Sequence, residues 1–273
     1  YIACRGLKTK IVLTHHGYIA NAKNLLTLKF LIPRISANIV VSRALVSWYE
    51  TENKLKFPAR PTIIYNGVDE KRLRGDGEKL KRELGLADDD LLVGMIANFY
   101  RDPRKDQMTV CLALPEIFSK IKNARCVFVG GTEAGAEAKF QDCVSFCEER
   151  GIADRVHFLG ARSDVPDVLA ALDLFVFSSL QEGLPVAAAE AMLAKVPLIV
   201  SDIEPLLEAS ADGRYAEVFQ TQNVSRLAEK TVELLTDKNG REDLANRAFV
   251  YARENFSIEA HLRELKKLYA AIL

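Results

Sequence analysis

Glu182 and Glu190 stand eight positions apart in "SSLQEGLPVAAAEAML", residues 178–193, on either side of Gly183-Leu184-Pro185 and an alanine run. A carboxylate in the loop before a helix can accept hydrogen bonds from the vicinal hydroxyls of a sugar. One placed a turn or two into the helix can accept from ribose hydroxyls, while Ala187, Ala188 and Ala189 leave room for a flat ligand. Pro185 suits the first turn of that helix, whose free N–H groups and positive dipole end favour phosphate. The chemistry fits a nucleoside diphosphate sugar, with diphosphate on the helix end, sugar hydroxyls on Glu182 and ribose on Glu190. Acids near helix starts are also common, so spacing alone leaves a capping Glu and a solvated helix Glu open.

Such residues need a frame that brings strand ends together. Short β-rich runs alternate with helical stretches, the pattern of a parallel sheet covered on both faces. Strands are expected at "KIVLTHH", "ANIVVS", "PTIIYNG", "LLVGMIAN", "RCVFVGG", "RVHFLG", "LDLFVFSS" and "VPLIVSD". Their apolar runs are continuous, as in strands buried on both sides. Helices are expected near 18–31, 43–53, 77–85, 104–122, 133–150, 164–171 and 185–195, and from Asn223 onward the chain reads as helix with caps and breaks. "LDLFVFSS" runs into "LQEG", which puts Glu182 at the carboxyl edge where open α/β sheets bind ligands.

Composition narrows the classes. Lys plus Arg and Asp plus Glu both number 37 in 273 residues, so no global field favours nucleic acid. The first 49 residues nevertheless hold seven basic side chains and no acidic one. The part from Arg5 to Arg43, with "AKNLLTLKFLIPRIS", fits either contact with anionic lipid or a core-packed helix with solvated lysines. Five cysteines without a CxxC pair fit packing in a reducing compartment better than a disulfide framework or a metal site. Asp88 and Asp90 in "ADDDL" read as a turn before a strand. No apolar run is long enough for a membrane span. Turn chemistry at Asn66-Gly67 and a polar stretch to Gly77 place a domain boundary near 66–76. The segment before it reads as the second half of a domain whose first half is missing.

The Glu182 to Glu190 E-x7-E pattern in "EGLPVAAAEAMLAKVPLIVSD" resembles the signature of the retaining glycosyltransferases of family 4. "VLTHHG", "IVVSRA", "IIYNGVD", "VGMIANFYRDPRKD", "CVFVGG", "DRVHFLGARSDVPDVLAALDLFVFSS" and "ENFSIEAHLRELKKLYAAIL" match in the same order. The resemblance implies an α/β GT-B fold of two Rossmann-like domains with parallel sheets, the N-terminal one incomplete. Residues 1–68 would be the acceptor side, 69–252 the donor-binding domain and 253–273 a helix returning to the N-terminal domain. It implies sugar transfer from a nucleoside diphosphate sugar, as co-substrate and without a metal cofactor, to a saccharide or lipid-linked acceptor with retention. A cytoplasmic location, peripheral contact with the membrane and no nucleic-acid partner go with it.

The same resemblance assigns roles. Glu182 would orient the sugar, Lys105 with Arg101 or Arg104 would clamp the leaving diphosphate, and His16 would face sugar and acceptor, unless that histidine is only packed and those arginines only solvated. Glu190, Gly183, Leu184 and Pro185 would hold the donor, Gly130 and Gly131 would form the cleft wall, and Leu159 with Arg162 would meet the base. An ordinary strand-to-helix turn remains open for that last pair. His15 is the expected structural histidine, and Glu208 a possible donor contact. Two departures stand out: Met95 where the family has the arginine of the clamp, and Lys195 where it prefers glycine. A nucleotide-sugar 2-epimerase of the same fold and a non-catalytic nucleotide-sugar-binding fragment stay open as alternatives.

Overall fold

The computed structural model describes residues 6–18 and 21–273, Ala22 by its backbone alone. Cys4, Arg5 and residues 19–20 thus lie outside the described residues, and the helix expected from residue 18 begins only at Ala22, after the Asn21 cap. Two parallel sheets carry the chain. The first consists of β1 (Val12–His15), β2 (Ala37–Val40) and β3 (Thr62–Ile63), in that order. Between its strands run α1 (Ala22–Leu31) and α2 (Arg43–Thr51), whose N-termini are capped by the side chains of Asn21 and Ser42.

The second sheet has β4 (Leu91–Ile96), β5 (Ala124–Val129), β6 (Val156–Phe158), β7 (Leu174–Phe177), β8 (Leu198–Ser201) and β9 (Glu217–Phe219), in spatial order β6-β5-β4-β7-β8-β9. Succession runs outward from β4 to one side and from β7 to the other. The carboxyl ends of β4 and β7 therefore flank the crevice where ligands of open α/β sheets bind. The helices are α3 (Gly77–Glu83), α4 (Gln107–Lys120), α5 (Glu137–Glu149), α6 (Val165–Ala171), α7 (Val186–Leu193), α8 (Glu204–Ala209), α9 (Val224–Thr236), α10 (Lys238–Asn255) and α11 (Ile258–Ile272).

All eight expected strands form, most with shorter bounds. The ninth, β9, and helix α8 were not legible, because three and six residues are too few to display a period. The expected helix at 104–122 starts only at Gln107, since the Asp106 side chain accepts from Thr109 N and caps it there. Strand alternation divides the second sheet's residues between two cores. Leu92, Val127, Val129, Phe175 and Phe177 face one cluster, while Val93, Met95, Cys126, Phe128 and Val176 face the other. Cys111, Cys143 and Cys147 lie in that second cluster as packing residues, as the sequence suggests.

The chain passes between the sheets twice. Val68 N donates to Phe256 O and Ile258 N to Val68 O, both at 2.8 Å. Gly67 is required here by proximity, because a Cβ would stand 2.7 Å from the His261 Cβ. Helix α11 starts on this seam, with His261 Nδ1 2.6 Å from Tyr65 O, and beyond it Leu262 and Tyr269 are exposed. At the end of α7, Lys195 takes φ 58°, and Val196 N closes on Ala191 O at 2.9 Å. Positive φ at this cap favours glycine, which is the physical content of the departure noted at Lys195.

Candidate functional site

A cavity of about 390 Å³ opens at the crevice between β4 and β7, with Asn98, Lys105, Gly130, Glu182, Leu184 and Ala187 among its lining residues. Helix α7 begins at this cavity. No side chain caps its N-terminus after Pro185, and Val186 and Ala187 line the cavity. Unsatisfied N–H groups and the helix dipole thus face the opening.

Lys105 and Glu182 meet beside that helix end. The Lys105 Nζ bonds to Glu182 Oε1, and both side chains are only 11% exposed. Nζ also lies 4.2 Å from the centre of the Phe177 ring, and burial pulls its pKa down against the raising effect of Glu182. Ser179 Oγ is 2.6 Å from Glu182 Oε1 and 2.6 Å from Arg104 O. A backbone bridge between Lys105 and Ser179 fastens the two loops together.

The loop after β4 is held from several sides. Gln107 Nε2 donates to Ala97 O and Asn98 O, and Lys139 Nζ donates to Tyr100 O and Asp102 O. Asn98 Oδ1 accepts from Gly131 N at 2.8 Å. Gly130, at φ 153°, has no room for a side chain, since a Cβ would stand 2.2 Å from Ala97 O.

The cavity gathers Lys105, Gly130, Arg162, Glu182, Leu184 and Pro185 from the residues singled out in the sequence. Arg101, Arg104, Gly131, Leu159, Glu190 and His16 lie outside its lining. Arg101 is exposed, its N–H bonded to Glu133, and the Arg104 guanidinium is paired with Asp102 and stacked 4.8 Å over Tyr100. Arg162 donates to Glu83 and Asp164 through four hydrogen bonds, which leaves one of its five N–H groups and its flat face to offer a ligand. The half-buried Glu190 carboxylate has no hydrogen bond or ion pair among the described residues. Burial raises its pKa, with Arg72 opposing.

Met95 is buried inside the sheet, so it cannot mark the clamp position. Asn98, three residues on and outside the strand, is the first polar residue after β4 to line the cavity.

The first sheet closes on this loop. Ser42 Oγ donates to Gly183 O at 2.6 Å, and a Cβ on Gly183 would stand 2.4 Å from His16 O. The His16 residue itself is exposed, whereas His15 is buried against Asn38 at 3.1 Å and burial lowers its pKa. His15 is thus the structural histidine, as expected. Tyr18 stands on this side too; burial, Glu204 and Glu182 push its hydroxyl up to about 12. Glu208 corrects the idea of a donor contact. Its carboxylate accepts from Arg43 N, Ala44 N and Tyr65 Oη, each at 2.9 Å, and so supports the start of α2 from the side of the second sheet.

The family profile described as "Glycosyl transferases group 1" matches residues 76–250. The chain belongs to the glycosyl transferases group 1 family. This group 1 glycosyl transferase is 26% identical over 274 residues to N-acetyl-alpha-D-glucosaminyl L-malate synthase of Bacillus anthracis, covering 98% of this chain and 69% of the relative. It is 27% identical over 224 residues to UDP-Gal:alpha-D-GlcNAc-diphosphoundecaprenol alpha-1,3-galactosyltransferase of Escherichia coli, covering 78% of this chain and 54% of that protein. The crystal structure of Anabaena Alr3699/HepE in complex with UDP superposes with a TM-score of 0.87 at 22% identity, covering 99% of this chain and 74% of that one. That likeness shows the fold, the two Rossmann-like parallel sheets of GT-B. The family match includes both β4 and β7, so the crevice between them lies inside the matched region.

Proposed function

We propose that this glycosyl transferase moves a sugar from a nucleoside diphosphate to a saccharide or lipid-linked acceptor with retention of configuration, as a member of the family 4 enzymes. The observation that carries the reading is the meeting of Lys105 and Glu182 beside the uncapped N-terminus of α7 in one cavity. Lys105 and the helix end take the diphosphate, and Glu182 accepts from the sugar hydroxyls. Positive groups fixed where leaving-group charge develops stabilise the transition state with little reorganisation, so a metal cofactor has no part in the proposal.

The bonding of Glu182 favours front-face attack over double displacement through a covalent intermediate as the route to retention. Glu182 Oε1 is held by Lys105 and Ser179, which suits a hydrogen-bond acceptor better than a free covalent nucleophile. The acceptor then attacks from the face the diphosphate leaves, with the departing phosphate taking its proton. His16 and Tyr18 stand on the acceptor side. A lipid-linked acceptor accords with the diphosphoundecaprenol in the name of the Escherichia coli relative. On α1, Lys23 and Lys29 are exposed together with Leu26 and Phe30. That combination supports peripheral contact with an anionic membrane face and disfavours a fully core-packed helix. Co-sedimentation with vesicles that ignores their anionic content argues against this contact.

Glu190 is assigned to the ribose. A half-buried carboxylate with no hydrogen bond or ion pair among the described residues, only a more distant Arg72, is costly to the folded protein but ready to accept from a diol. With hydrogen bonds to charged groups contributing about 1.5–3 kcal/mol, Glu190→Gln is expected to weaken nucleotide binding about tenfold to a hundredfold, read by calorimetric titration with UDP, GDP and ADP. The raised pKa means the folded state holds this proton more tightly than the unfolded chain. The stability it confers is full in acid and lost as pH rises through the folded value. The variant should therefore melt higher than the native protein near neutral pH, with the difference shrinking in acid. Unchanged binding would remove Glu190 from the site. The anomeric configuration of the product, read by NMR, tests retention, and an inverted product would refute it.

A further inference from the structure

We infer that Glu182 also drives release of the nucleoside diphosphate once the sugar has gone, by reclaiming Lys105 from the phosphates. The inference rests on the donor site proposed above and assigns Glu182 a second role there. In the structure the two groups expected to hold opposite ends of the donor hold each other. Glu182 is the only carboxylate paired with Lys105 among the described residues, and the nearby Arg104 is committed to Asp102. A diphosphate entering the cavity must therefore compete for Lys105 Nζ.

Hydrogen counting shows why the competition depends on the sugar. Ser179 Oγ lies 2.6 Å from both Glu182 Oε1 and Arg104 O. A hydroxyl has one hydrogen, so it cannot donate to both acceptors at once. Arg104 O already accepts from Leu180 N at 2.9 Å, so the Ser179 hydrogen can serve Glu182, but one neutral donor does not balance a carboxylate's charge; for that Glu182 needs Lys105 or several ligand donors. While the intact donor is bound, sugar hydroxyls satisfy the carboxylate and Lys105 is free to hold phosphate. After transfer those hydroxyls leave, and a carboxylate 11% exposed stands without its charged partner. A buried charge left unpaired is strongly unfavourable. Lys105 returns to it, and the diphosphate loses its charged side-chain contact in the cavity. The ion pair thus separates substrate from product by the presence of the sugar, and it acts on a release step of the kind that limits many enzymes.

The test compares dissociation constants of UDP, GDP and ADP for the native protein, Glu182→Gln, Glu182→Asp and Lys105→Met, each checked for folding by its melting transition. Glu182→Gln keeps the shape and an acceptor for Ser179 but no longer competes as an anion. It should bind the preferred diphosphate about tenfold more tightly, about 1.4 kcal/mol, and release it more slowly in stopped flow. Glu182→Asp, which withdraws the carboxylate from Nζ, should shift affinity in the same direction and serves if the glutamine variant fails to fold. Lys105→Met should weaken binding. If Lys105→Met weakens binding while both Glu182 variants leave it unchanged or weaker, the release role is wrong and the donor site stands. If Lys105→Met has no effect, or no diphosphate binds the native protein, the donor site falls and this inference with it.

Discussion

Lys105→Met is expected to lower the rate of sugar transfer by about 10²–10³-fold, the range for removing one group that stabilises developing negative charge. The size follows from where Nζ sits. Its side chain is 11% exposed, it lies over the Phe177 ring, and Arg101 and Arg104 are outside the cavity lining. Among the described residues the other cation lining the cavity is Arg162, and it is already paired with Glu83 and Asp164. Methionine preserves the aliphatic contact with Phe177, so the loss reports charge and not packing. It also strands Glu182, which lowers stability; the double variant Lys105→Met/Glu182→Gln restores stability while leaving transfer low. Steady-state kinetics on both proteins, with urea unfolding alongside, make the separation. Transfer within about threefold of native in Lys105→Met would rule out the clamp, since charge stabilisation of the proposed kind is worth far more.

Glu208→Ala is expected to destabilise the protein by about 3 kcal/mol, combining lost support at a helix start with charge-assisted hydrogen bonds. The carboxylate satisfies two N–H groups at the start of α2 and the Tyr65 hydroxyl. Burial and the same carboxylate raise the Tyr65 pKa, so the hydroxyl remains a donor across the working range. Alanine leaves all three donors without this partner. Because the partners lie on the other sheet, the loss should appear as an earlier unfolding step of residues 6–68 in hydrogen exchange. Glu208→Gln, which keeps an acceptor oxygen, should recover part of the loss. A single cooperative transition at the native midpoint for Glu208→Ala would show that this support contributes nothing.

Much of the fold was legible because parallel strands announce themselves as continuous apolar runs, and five of the second sheet's six strands with their crossovers leave few arrangements. The position of Glu182 was legible for a related reason: a strand ending in "SS" and a Pro-started helix fix the loop between them. The Lys105–Glu182 bond was not, since it joins residues 77 apart and nothing in their spacing requires contact. Met95 misled because a motif position was read without strand parity. Met95 shares a face with Val93 and points into the core, whereas Ile96, Ala97 and Asn98 after it line the cavity. Glu208 misled for the opposite reason. A glutamate near a donor domain's ligand edge invites a ligand role, yet its partners, 143 to 165 residues away, are visible only once the two sheets are docked.

The paired passage at Val68 and Phe256–Ile258 has a mechanical consequence. A single extended segment between two bodies leaves them free to twist, swing and rock. Two segments bonded to each other in both directions resist torsion about their common line, as a ribbon does compared with a thread. The easiest excursion left is bending across the ribbon's thin direction. Ser42 and His16, which meet Gly183 closely in the structure, are therefore expected to part from the loop that carries Glu182 mainly along that one direction, if they part at all.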